Sequence, residues 1–179
     1  NPARFDQKKA ESINGDHIRM LEPADFASRL VPYLVGAGVV STPPTDAQRE
    51  LLAKAAPLVQ ERMQMLGDAP GLLGFLFRDV DSYDEDALKG LPANTAEVLA
   101  ASIDALQAVP EDAFTAEAIQ AALAASLIDG LGLKPRVAYG PARVALSGRR
   151  VSPPLFESME LLGKSVTLDR LERLRAERS

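Results

Sequence analysis

The sequence predicts an all-α fold, and three observations carry that reading. The composition is rich in Ala and Leu, lacks Trp and is 5% aromatic, which favours helix over sheet. No stretch alternates apolar and polar residues between hairpin turns. Apolar residues recur instead at helical spacing, as at Phe26, Leu30 and Leu34. The expected architecture is many short helices rather than a long bundle, in one domain or two small ones.

Residues 1–22 read as largely irregular, with turns at Phe5-Asp6 and Asn14-Gly15 and a short helix over 7–13 between them. Pro23 opens the next helix, and Gly36 and Gly38 stop it. Residues 41–44 (Ser-Thr-Pro-Pro) form a rigid connector. Thr45 then caps a helix with Gln48 three residues on, a capping-box pattern. Leu52, Ala55 and Ala56 form its inner stripe. Pro57 breaks or kinks it, and a second piece over 58–66 carries Val59, Met63 and Leu66 inward, with Arg62 pointing away. Residues 70–77 are an apolar core segment.

Residues 79–86 are acidic turn material. Their spacing lacks the central Gly and terminal Glu of a calcium loop; acids at a subdomain junction and helix N-terminus fit better. Two Ala-rich amphipathic helices follow over 92–109 and 115–128, with Val98, Ile103 and Leu106 facing Ile119, Leu123 and Leu127. After Gly163 a terminal helix buries Val166, Leu168, Leu171 and Leu174, and Arg170, Arg173 and Arg175 alternate with acids on its solvated face.

The formal charge of −5 and pI near 5.0 argue against binding nucleic acid over the whole surface, and leave room for a localised patch. With no Cys and one His, disulfides, thiolate metal sites and Cys–His nucleophile pairs are excluded, and His17 has no partners for a metal set. A reducing, cytoplasmic setting is compatible. No apolar run approaches the roughly 18 residues of a membrane span, so no membrane partner is expected. Neither a phosphate-binding loop nor a nucleophile elbow is present. The opening NPARFDQKKAES has no initiator Met and reads as part of a longer protein.

Charge is unevenly placed. Residues 130–156 hold five cations (Lys134, Arg136, Arg143, Arg149, Arg150) and no acid, whereas residues 79–129 hold eleven acids and one base, Lys89. Such asymmetry points to a polyanion-facing edge. Within the basic stretch, Gly140-Pro141 interrupts one helical piece and starts another, Gly148 ends that piece, and Arg149-Arg150 form a hinge. Ser152 reads as an N-cap with Pro153 at the first helical position, which sets Ser152 and Leu155 at a helix N-terminus suited to acceptor-rich ligands. Taken alone, the stretch also fits an ordinary helix junction with two solvated arginines.

Two segments carry a family resemblance. FDQKKAESINGDHIRML resembles the F-D-x-x-K-L-x-W-x-N-G-x-Y-I-R segment of bacterial glutamyl-tRNA synthetases. GPARVALSGRRVSPPLFESMELLGK is similar to their P-L-R-x-A-L-T-G…P-x-L-F-E-x-x-x-L-L-G-K segment. The resemblance spans nearly the whole chain in order. It implies the all-helical, cage-like, C-terminal anticodon-binding half of such an enzyme, in two small subdomains divided at the acidic turn around Asp79: residues 1–78, which contact the stem and begin the anticodon-binding region, and residues 79–179, the C-terminal anticodon-binding part. The class I catalytic signatures are absent, so this segment holds no catalytic residue, and ATP and Mg belong to a catalytic half outside it.

The resemblance implies contacts from Arg143, Ser152 and Leu155 to anticodon bases. It places Arg62 where the family reads a cytosine at the third anticodon base, which leans towards rejection of glutamine-tRNA. Arg149 and Arg150, with Lys9, Arg19, Lys134 and Arg136, are then the expected tRNA-backbone contacts. The chain departs from the family at Ser12-Ile13 (its common Trp), His17 (its usual Tyr) and Lys134-Pro135-Arg136 (its K-G-K-like run). The expected partner is tRNA(Glu), with no DNA and a monomeric chain. The alternative is a helical protein–protein module whose acidic 79–129 surface docks a protein partner.

Overall fold

The computed structural model describes residues 7–179. Among them lie ten α-helices, α1 (Gln7–Met20), α2 (Pro23–Gly36), α3 (Asp46–Gln60), α4 (Ala69–Phe77), α5 (Glu85–Lys89), α6 (Thr95–Gln107), α7 (Ala116–Leu123), α8 (Pro135–Ser147), α9 (Leu155–Leu162) and α10 (Lys164–Arg178), and no strand. Two compact units, Asn1–Arg78 and Asp79–Ser179, divide the chain.

In the first unit α2 packs against α3 and α4. Phe26, Leu30 and Leu34 lie one helical turn apart on α2 and are fully buried. The capping box at α3 forms as its spacing dictates: the Gln48 amide donates to Thr45 Oγ1 at 3.1 Å, and the Thr45 amide donates to Gln48 Oε1 at 3.0 Å.

Three helix boundaries in this unit differ from expectation. α1 continues through Asn14-Gly15, because a neighbouring loop uses both turn-prone residues. The Asn14 side-chain amide donates to the Gln64 carbonyl at 2.6 Å, and a Cβ at Gly15 would lie 2.5 Å from Gln64 Oε1. α3 passes through Pro57, since burial of Ala55, Ala56, Val59 and Gln60 outweighs the one backbone bond the proline removes. It stops at Gln60 rather than Leu66, which opens a short 3-10 turn, Leu66–Asp68. The turn expected at Phe5-Asp6 lies outside the described residues.

The core of the second unit forms where α6 meets α7, α8 and α10 and where α9 packs on α7. Val98, Leu99, Leu106, Ile119, Leu123, Leu127, Met159, Leu171 and Leu174 are all fully buried there. The α7 helix ends in a π-helical turn, Ala124–Gly130, within which Leu127 still faces the core. α8 is one helix through Gly140-Pro141, not two: Pro141, Ala142, Val144, Ala145 and Leu146 are buried along it, and this packing offsets the missing amide. Gly148 ends it in the left-handed region at φ +74°.

The terminal helix α10 holds the largest departure from expectation. Val166 is exposed, while Arg170 is 4% exposed and sits in the interior beside Thr167 and Leu171.

Candidate nucleic-acid interface

A helix places residues i, i+3, i+4 and i+7 on one side, and on α8 those positions are Arg136, Tyr139, Gly140 and Arg143. They line a cleft of about 860 Å³ together with Arg150 and Val151 of the basic hinge. Ala87, Gly90, Leu91 and Pro92, from α5 and its connection to α6, also line it. Three of the expected cationic residues, Arg136, Arg143 and Arg150, therefore share one concavity. Lys134 caps the start of α8 from an exposed position, and Arg149 turns towards Asp84, its Nε 3.9 Å from the carboxylate.

Arg143 is half-buried and is held by the hinge. Its Nη1 donates to Ser152 Oγ at 3.0 Å and reaches the Pro153 carbonyl at 3.5 Å. The Ser152 hydroxyl donates in turn to the Pro153 carbonyl at 3.0 Å. Ser152 is 5% exposed and Leu155 is 4% exposed; Ser152 is bonded to Arg143, Leu155 belongs to the core of the unit, and neither is among the residues that line the cleft.

Ser152 is not the N-cap of α9, which begins at Leu155 with Pro154 in the cap position. The consecutive prolines explain the shift. Each proline disfavours the α region for the residue before it, which keeps Ser152 and Pro153 out of the helix until Pro154 is passed.

The hinge is fixed from two sides. On one, Ser147 Oγ donates to the Arg143 carbonyl at 2.8 Å and accepts from the Arg149 amide at 3.2 Å. On the other, the Gly148 carbonyl accepts from the Asp84 amide at 2.9 Å, and a Cβ on Gly148 would fall 2.7 Å from the Ser82 carbonyl oxygen. Only glycine satisfies both the backbone angle and this approach.

Beneath the hinge lies Arg170, a residue whose role the sequence reading missed. Its Nη1 donates to the Leu146 carbonyl in the last turn of α8 at 2.7 Å, and its Nε stands 3.6 Å from Asp79. Burial pushes the Arg170 guanidinium down while the Asp79 charge opposes that shift. Asp79 accepts from Arg173 Nη2 at 2.6 Å. That bond, with the Val80 amide, holds its carboxyl below the usual carboxylate range. A signal existed in the sequence: Arg170 falls between Thr167 and Leu174 at the spacing of the buried stripe.

In the first unit, Arg62 sits in the exposed turn just beyond α3 rather than on a helix, its amide bonded to the Val59 carbonyl at 3.1 Å. Buried Gln60 anchors this turn: its side-chain amide donates to the carbonyls of Ile18 and Leu21 at 2.9 and 2.8 Å, tying the end of α1 to the end of α3. The i, i+4, i+8 series Leu52, Ala56, Gln60 was the available signal for it. Arg19 is half-buried, paired with Asp16, and reaches the Glu61 carbonyl at 3.4 Å. Lys9 is exposed on α1.

Burial pushes the Tyr139 phenol up, with the Asp129 charge adding to it. Phe156 meets Tyr139 edge-to-face, ring centroids 5.2 Å apart at 88°. Among the acids of residues 79–129, Asp79 and Asp84 face arginines and Glu85 pairs with Lys89. Among the described residues no group of three or more His, Cys, Asp or Glu converges as a metal-ion site, and no helix is long and apolar enough to cross a membrane.

Comparison with known proteins identifies the family. A family model described as an anticodon binding domain matches residues 25–175. The chain is 65% identical over 178 residues to the glutamate–tRNA ligase of Leifsonia xyli subsp. xyli, covering 98% of this chain and 36% of that protein. It is 59% identical to the glutamate–tRNA ligase of Clavibacter sepedonicus, covering 97% of this chain and 35% of that protein. The chain thus spans about a third of the length of the curated relatives it matches. A crystal structure of a glutamate tRNA ligase from Elizabethkingia meningosepticum shares the fold with a TM-score of 0.78 at 23% identity, over 98% of this chain and 33% of that one.

Proposed function

The chain belongs to the anticodon binding domain family, and from that premise we propose that it recognises the anticodon of tRNA(Glu) as part of a glutamate–tRNA ligase. The observation that carries this reading is the cleft that gathers Arg136, Arg143 and Arg150 around Tyr139. Sequence-specific RNA recognition targets unstacked bases, which are read by planar donors and aromatic faces. Arginine supplies paired donors to base acceptors.

In this reading Arg143 contacts an anticodon base, with Ser152 bonded to it and Leu155 in the core of the unit. A base acceptor that draws Arg143 forward frees the Ser152 hydroxyl to contact the base in its place. Arg149, Arg150, Lys134 and Arg136 serve phosphates, which contribute affinity without sequence information. In the first unit Arg62 reads the third anticodon base, and Lys9 and Arg19 take the stem backbone. Glutamate activation, with its ATP and Mg, is assigned to the part of the ligase that this chain does not span. The setting is the cytoplasm, where tRNA is charged for protein synthesis.

The test is a salt titration of tRNA(Glu) binding by wild type and by Arg143→Ala. Binding that falls with salt and weakens in the variant supports the reading. Equal affinity of the two proteins at every salt concentration refutes it.

A further inference from the structure

We propose that Tyr139 is the stacking platform of the cleft, holding one unstacked base of the anticodon loop by its π-face while the surrounding arginines hold the flanking phosphates and base edges. The proposal rests on the anticodon reading above and adds to it a residue whose contribution is indifferent to which base is present.

The geometry supplies what such a platform needs. Tyr139 lies on α8 between two arginines of the same side, one turn after Arg136 and one turn before Arg143. The next residue, Gly140, has no side chain, and even an added Cβ there would meet nothing within 4 Å, so the backbone beside the ring is open to a planar ligand. Phe156 braces the ring from behind in its edge-to-face contact, which fixes its orientation before any ligand arrives. Ala87, Leu91 and Pro92 line the same cleft and give it apolar surface against which the second face of a base loses little. The volume of about 860 Å³ falls within the range of small-molecule clefts, roughly 300–1,000 Å³.

Charge selects the occupant. Of the residues lining the cleft, Arg136, Arg143 and Arg150 are cationic and none is acidic, so the cleft suits a ligand with a flat apolar body and anionic flanks. A single-stranded nucleotide segment has that form, and base–aromatic stacking combined with a cationic track is how proteins hold such segments. An acidic peptide matches the charge but offers no planar body for the ring.

The experiment replaces each anticodon-loop base of tRNA(Glu) in turn with 2-aminopurine and follows its emission on binding the full 179-residue chain. Wild type and Tyr139→Phe are expected to quench the probe at one loop position. Tyr139→Leu, which keeps bulk against Phe156 without an aromatic face, is expected to leave that position bright and to weaken binding by roughly 5- to 150-fold. The slope of log affinity against log salt is expected to stay unchanged, because no phosphate contact is lost. Circular dichroism of Tyr139→Leu, matching wild type, separates loss of the platform from loss of the fold.

Quenching that persists undiminished in Tyr139→Leu at every position overturns the platform while leaving anticodon binding standing. An absence of tRNA binding by wild type at low salt, or displacement of the tRNA by an acidic peptide at equal concentration, overturns both.

Discussion

Asp79 and Arg173 stand 94 residues apart in the chain and are joined by a 2.6 Å hydrogen bond from the guanidinium to the carboxylate. Arg170 approaches the same carboxylate oxygen from the interior at 3.6 Å. One carboxylate thus faces two arginines, one of them buried, and this joins the first residue of the second unit to its last helix.

A pH dependence follows with a definite sign. The Asp79 carboxyl is depressed in the folded state, mainly by the Arg173 hydrogen bond. Its contribution is therefore fully present above the unfolded carboxylate value of about 4 and is lost as pH falls below that, through the lower folded value. Asp79→Asn is expected to be less stable than wild type at neutral pH and to converge with it as pH drops towards 2. Urea unfolding midpoints across that window check this; a gap that stays constant with pH counts against it.

Gly148→Ala is expected to destabilise the chain by about 1–2 kcal/mol from the left-handed backbone alone. The approach to the Ser82 carbonyl adds to that cost. Because the hinge follows directly, weakened RNA binding should accompany the loss. Chemical denaturation measures the first effect and titration below the unfolding range the second.

Arg143→Ala is expected to weaken tRNA(Glu) binding by roughly 1–3 kcal/mol, about 5- to 150-fold. Arg143→Lys should recover little of it, because an ammonium cannot present two parallel donors. Ser152→Ala tests the bond that holds it and should cost less, since Arg143 keeps the Pro153 carbonyl.

The pair Arg149→Ala and Arg150→Ala should behave differently. Phosphate contacts set the salt slope, and each one lost from a single-stranded segment lowers that slope by about 0.7. The double variant is expected to bind more weakly at low salt without changing its preference among anticodon sequences. A changed preference would move these residues from phosphates to bases.

In the first unit, Arg62→Gln is expected to relax discrimination at the third anticodon base. Wild type should bind tRNA(Glu) better than the same tRNA with that base changed from C to G, and the variant should narrow the gap. Gln60→Leu keeps volume but removes the donor to Ile18 and Leu21. It should blunt discrimination through the turn that carries Arg62.

The helices were legible wherever one local rule governed them: the α2 stripe, the Thr45 capping box and the Gly148 stop all follow from nearest neighbours in sequence. Errors fell where partners distant in sequence overrode local propensity. Asn14-Gly15 has turn chemistry, yet Gln64 uses it within a helix. Pro57 and Pro141 are breakers, yet each lies in a helix whose buried face holds it together. At the interface, the charge count located the basic stretch and the resemblance supplied Arg143. Tyr139 and Gln60 look ordinary in isolation, and Arg170, expected on the solvated face of α10, is buried. A buried arginine on an amphipathic helix differs from a solvated one only through what packs against it, and periodicity read residue by residue does not include Asp79 or the Leu146 carbonyl.

The clamp at Asp79 sets a rule for dissecting the molecule. A fragment that begins at Asp79 retains the carboxylate that faces Arg170, whereas one begun a single residue later leaves that guanidinium at 4% exposure without it. Because Arg170 is a buried charge whose carboxylate partner stands at the exposed edge, losing that partner is costly, and the workable cut between the two units lies on the near side of one side chain. Protease trimming or recombinant expression of the second unit alone should be planned around that carboxylate, rather than around the helix that starts six residues later.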